Sequence, residues 1–234
     1  MLSSILSLIL ATPATAYESD QLTRRAEALG EATAAADRLL APFLTTAVER
    51  TNQRTACTAS EKRTHRVLAS EIKRSTSRMA LRGERRGFQA LGWDAYGAAL
   101  ERSDAPRRNF DDRSDLFGEV RFFEGAILEV NGICSTWNLG GQLVGTDKID
   151  HFLATGETYW RWSRRKAGLD RAVRKGSRRE RTWDGNWTSH VFSFADLRAN
   201  FDGYHFYDSL LGDDSILKRA EDGCVEQVGT FTWA

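Results

Sequence analysis

Two short segments hold the residue types that could do chemistry in this chain. One is Gly145-Thr146-Asp147-Lys148-Ile149-Asp150-His151-Phe152. The other is Ser193-Phe194-Ala195-Asp196-Leu197-Arg198-Ala199-Asn200. Asp147 and His151 are spaced i, i+4, as are Asp196 and Asn200, so on helices each pair shares a face. If the two faces meet, a carboxylate lies beside an imidazole. His151 then serves as general base or acid near neutral pH, with Asp147 orienting it and Asp196 and Asn200 positioning a substrate. Two other readings use the same residues. In one, the carboxylates stabilise helix starts, each by ~0.3–1 kcal/mol, and His151 and Asn200 satisfy one another in a buried network. In the other, Asp147, His151 and Asp196 hold a divalent ion. That donor set suits such ions but lacks an obvious fourth ligand, so no metal site is assigned.

The elements that must position these residues are two helices. Thr146 is a good N-cap, with Asp147 in the first turn where the helix dipole favours negative charge. Ile149, Phe152, Leu153, Gly156 and Trp160 fall on one arc, and Asp147, His151, Thr155 and Thr158 on the other. Ser193 caps the second helix, and Asp196 at the third position stands in for the Glu of a capping box. Phe194, Leu197, Phe201 and Tyr204 form its apolar stripe; Asp196, Asn200, Gly203 and Tyr207 form its polar one. A glycine in a polar stripe implies that another backbone comes close, which a solvated face does not need.

The pattern Asp147-Lys148-x-x-His151-Phe152, followed by Ser193-x-x-Asp196-x-x-Ala199-Asn200-x-x-Gly203, resembles motifs of VanZ-like proteins and related small exported bacterial envelope proteins. The likeness covers residues 140–210. It implies an envelope location and a paired-helix motif, and no established chemistry.

A second region carries charge. Between Arg161 and Arg181 there are ten Lys and Arg against two acids, Asp170 and Glu180, with Trp160 and Trp162 at the start and Trp183 and Trp187 beyond the end. Such a run attracts phosphate-bearing surfaces and polymers. Arg164, Arg165, Lys166, Arg174, Lys175, Arg178 and Arg179 are its binding candidates, for an anionic envelope surface or polymer. The bland alternative is a solvated helical face whose tryptophans anchor its ends in the core. No nucleic-acid motif is present, and nucleic acid is not an expected partner. Of the other histidines, His65 is expected on the surface, and His205 near the apolar stripe of its helix.

Composition fits a packed chain. Hydrophobic residues are 41% of the sequence, with seven Trp and twelve Phe, which argues for a core rather than disorder. Residues 1–16 read as a secretory signal: an apolar run of about ten residues, Pro13, then Ala14-Thr15-Ala16 before a cleavage expected ahead of Tyr17. That run is too short for a membrane span, which needs about 20 residues, and no later run reaches that length. The expected location is therefore periplasmic or secreted, without an integral membrane segment after cleavage. Three cysteines, Cys57, Cys134 and Cys224, allow one disulfide in any of three pairings. No Gly-x-Ser-x-Gly elbow, phosphate loop, dinucleotide fingerprint or His-Glu-x-x-His occurs, so the cofactor is unknown.

The expected fold is mainly α: a single-domain helical bundle with irregular Gly-rich loops and at most a short strand pair. The pattern places an N-terminal helical layer over 17–81 and the main helical domain over 82–234. Leu22 to Leu40 reads as an amphipathic helix that Pro42 ends or kinks, followed by helices over Phe43–Arg54 and Ser60–Ser77. Asp115–Ile133 reads as helix or strand, and Gly132–Gly145 as an irregular loop.

Overall fold

The structure is a computed structural model and describes residues 18–77, 95–109, 114–117, 133–165, 168–182 and 191–234. It is mainly α, as the periodicity implies. Helices α1 (Thr33–Thr55) and α2 (Glu61–Ser77) form an antiparallel pair, and the short α3 (Ala95–Glu101) packs on both. A central helical rod follows, made of α4 (Thr146–Asp150), one π-helical turn (His151–Thr155) and α5 (Gly156–Ser163). Helices α6 (Gly168–Glu180) and α7 (Phe194–Asp208) lie against that rod. The described residues of both expected layers share one core, running from Ala36, Leu40 and Leu44 of α1 through Leu68 and Ile72 of α2 to Leu153, Trp160 and Tyr207. No helix among the described residues is long and apolar enough to cross a membrane.

The N-terminal helix starts later than its apolar spacing suggests, at Thr33. Asp20 explains this. Its buried carboxylate accepts the Leu22 and Thr23 amides at 2.9 Å each, and the Thr23 and Ser114 hydroxyls, so the chain turns locally instead of winding. Pro42 does not end α1 either. It sits on the exposed face of the helix. The missing bond costs about 3 kcal/mol, which the buried stripe Ala36, Leu40, Leu44 and Ala47 on both sides of it offsets.

Strand content exceeds one short pair. β2 (Arg107–Arg108), β4 (Thr136–Leu139) and β5 (Gln142–Gly145) form a three-stranded antiparallel sheet. β1 (Glu18–Ser19) pairs parallel with β3 (Ile133–Cys134), and β6 (Leu217–Arg219) pairs antiparallel with β7 (Val225–Gln227). What reads as a Gly-rich loop is thus largely a hairpin. Gly140 and Gly141 have φ of 57° and 79°, the left-handed pair that a two-residue hairpin turn demands. Most of the 115–133 segment lies outside the described residues.

Cys57, in the α1–α2 turn, is bonded to Cys224 beside β7, and Cys134 is a free, buried thiol. The C-terminal Trp233 packs on Tyr96 and donates to its hydroxyl at 2.9 Å.

Candidate functional site

Three glycines bring the site together. A Cβ at Gly145 would lie 1.8 Å from Ser19 Oγ, so only glycine lets β1 pass close enough to place Glu18 beside Asp147 and Lys148. A Cβ at Gly156 would lie 2.6 Å from the Gly203 Cα, and one at Gly203 would lie 2.1 Å from the Phe152 carbonyl oxygen. The rod and α7 therefore touch backbone to backbone, as the glycine in the polar stripe anticipated. The π-turn lies at this crossing, closed by the Gly156 amide donating to the His151 carbonyl. Its extra residue per turn rotates His151 and Phe152 relative to α5.

The polar stripe of α7 faces inward. Asp196, Asn200, Gly203 and Tyr207 are its buried residues, whereas Phe194 is 78% exposed and Leu197, Phe201 and Tyr204 are half-buried. That is the reverse of the usual amphipathic order. It holds because the inward polar groups have partners: Tyr207 donates to the Leu153 carbonyl at 2.7 Å, and Asp196 and Asn200 both meet His151. His205 accordingly lies exposed against Phe201 rather than in the core. His65, expected on the surface, is half-buried, stacked on Trp160 and hydrogen-bonded to the Tyr207 carbonyl at 2.6 Å.

All four residues singled out in the two motifs converge. His151 Nε2 lies 3.2 Å from Asp196 Oδ2, and its Nδ1 lies 3.0 Å from Asn200 Oδ1. Both ring nitrogens thus face acceptors, which selects the imidazolium. Burial pushes the His151 pKa down, but the Asp196 carboxylate outweighs it by charge and hydrogen bond and lifts it to about 10. At neutral pH the ring is therefore a cation, not a free base. Asp147 does not orient it. Its Oδ2 instead bonds Lys148 Nζ at 2.5 Å.

Lys148 is the residue the spacing argument passes over, since a lysine on a helix is ordinarily solvated. Only 7% of its side chain is exposed. Its ammonium contacts Asp147, Asp196 and, at 3.5 Å, Glu18. Burial disfavours its charge, yet these three carboxylates together hold its pKa well above the ordinary lysine value. Burial also works against ionised Asp196, while His151 and Lys148 keep that carboxyl far below the usual range. The carboxylate oxygens of Glu18, Asp147 and Asp196 lie within 4.8 Å of one another, so Glu18, not His151, completes the trio that a metal could use. Lys148 already bonds each of them, and the countercharge comes from the chain itself.

Glu180, the last residue of α6, is the second unforeseen member. It is 1% exposed and its Oε1 accepts the Ser193 amide at 2.9 Å. In a capping box that amide would belong to Asp196. Here Ser193 Oγ accepts the Asp196 amide at 3.1 Å as expected, while the Asp196 carboxylate is committed to Lys148 and His151 and Glu180 takes its reciprocal place. Burial, with the facing Asp196 carboxylate, pushes the Glu180 carboxyl up to about 7. Its one sequence signal is that it is an acid ending a basic run. Cys134 is no nucleophile, because burial pushes its thiol well up and Sγ donates to the Glu18 carbonyl at 3.0 Å.

The basic residues do not join this cluster. Arg164, Arg165, Arg174, Arg178 and Arg179 are exposed on α6 and the turn before it, and Lys175 lies 4.9 Å above the Trp162 ring. Lys166, Trp183 and Trp187 lie outside the described residues. Trp160 is a core residue, 3% exposed, donating to Asp208 at 3.2 Å. The two described tryptophans of the run thus anchor it to the body of the protein. α6 itself buries only Ala172, Gly176 and Glu180.

Compared with family models, curated proteins and solved structures, the chain matches none. The residues of the site must carry the functional argument alone.

Proposed function

We propose that this is an exported envelope protein that works by binding, docking the arginine face of α6 on an anionic envelope surface, with the buried charge cluster holding that helix in place. One observation carries the reading. α6 exposes Arg174, Arg178 and Arg179 to solvent, while its one buried acid, Glu180, ties its end to the cap of α7. Guanidinium groups clamp phosphate oxygens in pairs, so a phosphate-bearing surface is the fitting partner. The Cys57–Cys224 bond supports export, because such bonds persist in oxidising compartments. A compact helical bundle is the architecture in which we place the docking helix.

The test is cosedimentation of the protein with vesicles containing anionic phospholipid and retention on an immobilised polyphosphate matrix, each at low and high salt. Binding that weakens steeply with salt and is lost in Arg174→Glu/Arg178→Glu supports the reading. Absence of salt-sensitive retention on both surfaces ends it.

A hydrolase reading keeps one observation in its favour. The His151 side chain is 18% exposed, so an edge of the ring reaches solvent. Held as imidazolium it would act as an acid or an anion clamp rather than as the general base, with Asp196 positioning it. Ester, amide and phosphodiester substrates offered to wild type and His151→Gln decide the matter. Turnover that the substitution abolishes while the variant remains folded at the assay temperature would establish it; no turnover by wild type removes it.

A further inference from the structure

We propose that the surface α6 meets is a lipid bilayer, and that Phe194 enters it. The inference rests on the binding reading and names its partner. Phe194 is the most exposed large apolar side chain among the described residues, at 78%. It opens α7, directly after the Ser193 cap, and Phe192 stands edge-on to it at 5.1 Å. The Arg181 guanidinium lies 5.8 Å from the Phe192 ring, and Arg178 and Arg179 are exposed one turn back on α6. The junction between the helices is pinned from inside by Glu180 on the Ser193 amide and Ser193 on the Asp196 amide. Guanidinium groups and phenyl rings therefore share one fixed corner of the molecule.

That combination discriminates between anionic partners. A soluble polyanion or a phosphate-bearing glycan satisfies the arginines but offers nothing to an exposed phenyl ring. A bilayer provides head-group phosphates for the guanidinium groups and, a few ångströms deeper, hydrocarbon for the ring. A single exposed apolar residue is ordinary on a protein surface. An exposed phenylalanine buttressed by a second ring and flanked by cations is the chemistry of an interfacial anchor. The ring needs no fold change to insert, because it is already outside the core.

The experiment compares wild type, Phe194→Ser and Phe194→Trp on two surfaces: vesicles of zwitterionic lipid with about a third anionic phospholipid, and an immobilised polyphosphate matrix. All three proteins carry the same N-terminus, so any contribution from it cancels. Phe194→Ser is expected to lower vesicle partitioning by roughly tenfold, the order expected for withdrawing one phenyl ring from hydrocarbon, with matrix retention and melting temperature unchanged. Phe194→Trp is expected to keep binding and to gain quenching by brominated lipid over the wild-type signal. Vesicle partitioning of Phe194→Ser equal to wild type, or an equal loss on both surfaces, overturns the bilayer assignment while leaving anion binding standing. Failure of wild type to bind either surface overturns both.

Discussion

Lys148 and Arg178 are both cations on helices of this molecule, yet they obey different rules. Lys148 is enclosed with three carboxylates and a neighbouring imidazolium, and each carboxylate there has a cation within reach. Arg178 faces water from α6. Burial is what separates them. Taking a charge out of water costs several kcal/mol, so the inner cluster survives only as a complete set and its members matter to folding. Solvated charges cost almost nothing to keep or to lose, so the outer face is free to serve a partner. The same residue class therefore specifies structure in one place and recognition in the other.

The sharpest way to break this contrast is Lys148→Met. It leaves Glu18, Asp147 and Asp196 facing each other without their cation, and the expected loss is about 3–5 kcal/mol by denaturant unfolding. A stability within error of wild type would mean that the cluster is solvated after all.

Next in size is the pH response. The folded-state pKa of His151 lies above its unfolded value, so its stabilisation is complete below about pH 6.5 and disappears as pH rises toward about 10. Glu180 is also raised, but as an acid it counts against the fold: the native state holds its proton up to about 7, so stability declines as pH climbs from its ordinary carboxyl range to neutrality. Each slope is at most about 1.4 kcal/mol per pH unit. Read from denaturant midpoints across pH, His151→Gln should flatten the alkaline limb, and Glu180→Gln should make the acidic-to-neutral one shallower. The remainder belongs to Asp150, whose carboxyl burial pushes up to about 6. A wild-type curve that is level from pH 5 to pH 9 contradicts both assignments.

Gly203→Ala tests the backbone contact that brings the clusters' helices together. Its Cβ meets a carbonyl oxygen that cannot swing aside, and a loss of about 1–3 kcal/mol is expected in thermal unfolding. The smallest effect belongs to the outer face: Arg174→Glu/Arg178→Glu should shift stability by no more than about 0.5 kcal/mol while removing anion binding. If that variant unfolds as readily as Lys148→Met, the division between the two regions fails.

Much of the inner region was legible in the sequence. The i, i+4 pairs Asp147/His151 and Asp196/Asn200 and the odd glycine at 203 were enough to dock two helices. The helix over 61–77 followed from Ser60 and its apolar spacing. What the pattern hid was partnership. Lys148 drew no assignment because nothing local reveals that Glu18, far back in the chain, will arrive through the gap at Gly145. The inward turn of the polar stripe of α7 was signalled by Gly203 alone, because periodicity ranks residues by polarity. A polar stripe whose carboxylate meets two cations and whose amide oxygen meets an imidazole can be buried as an apolar one is. The delayed start of α1 was missed because Asp20 captures amides that a helix would need. The strands at 136–145 were missed because two adjacent glycines suggest a loop more readily than a hairpin turn.

The cystine joins positions 167 residues apart, so most of the polypeptide is a closed ring. A protease that nicks any one peptide inside that ring yields fragments that stay covalently tethered. They should migrate as a single band until thiol reductant is added, which turns an ordinary gel into a readout of whether the crosslink exists in the cell of origin.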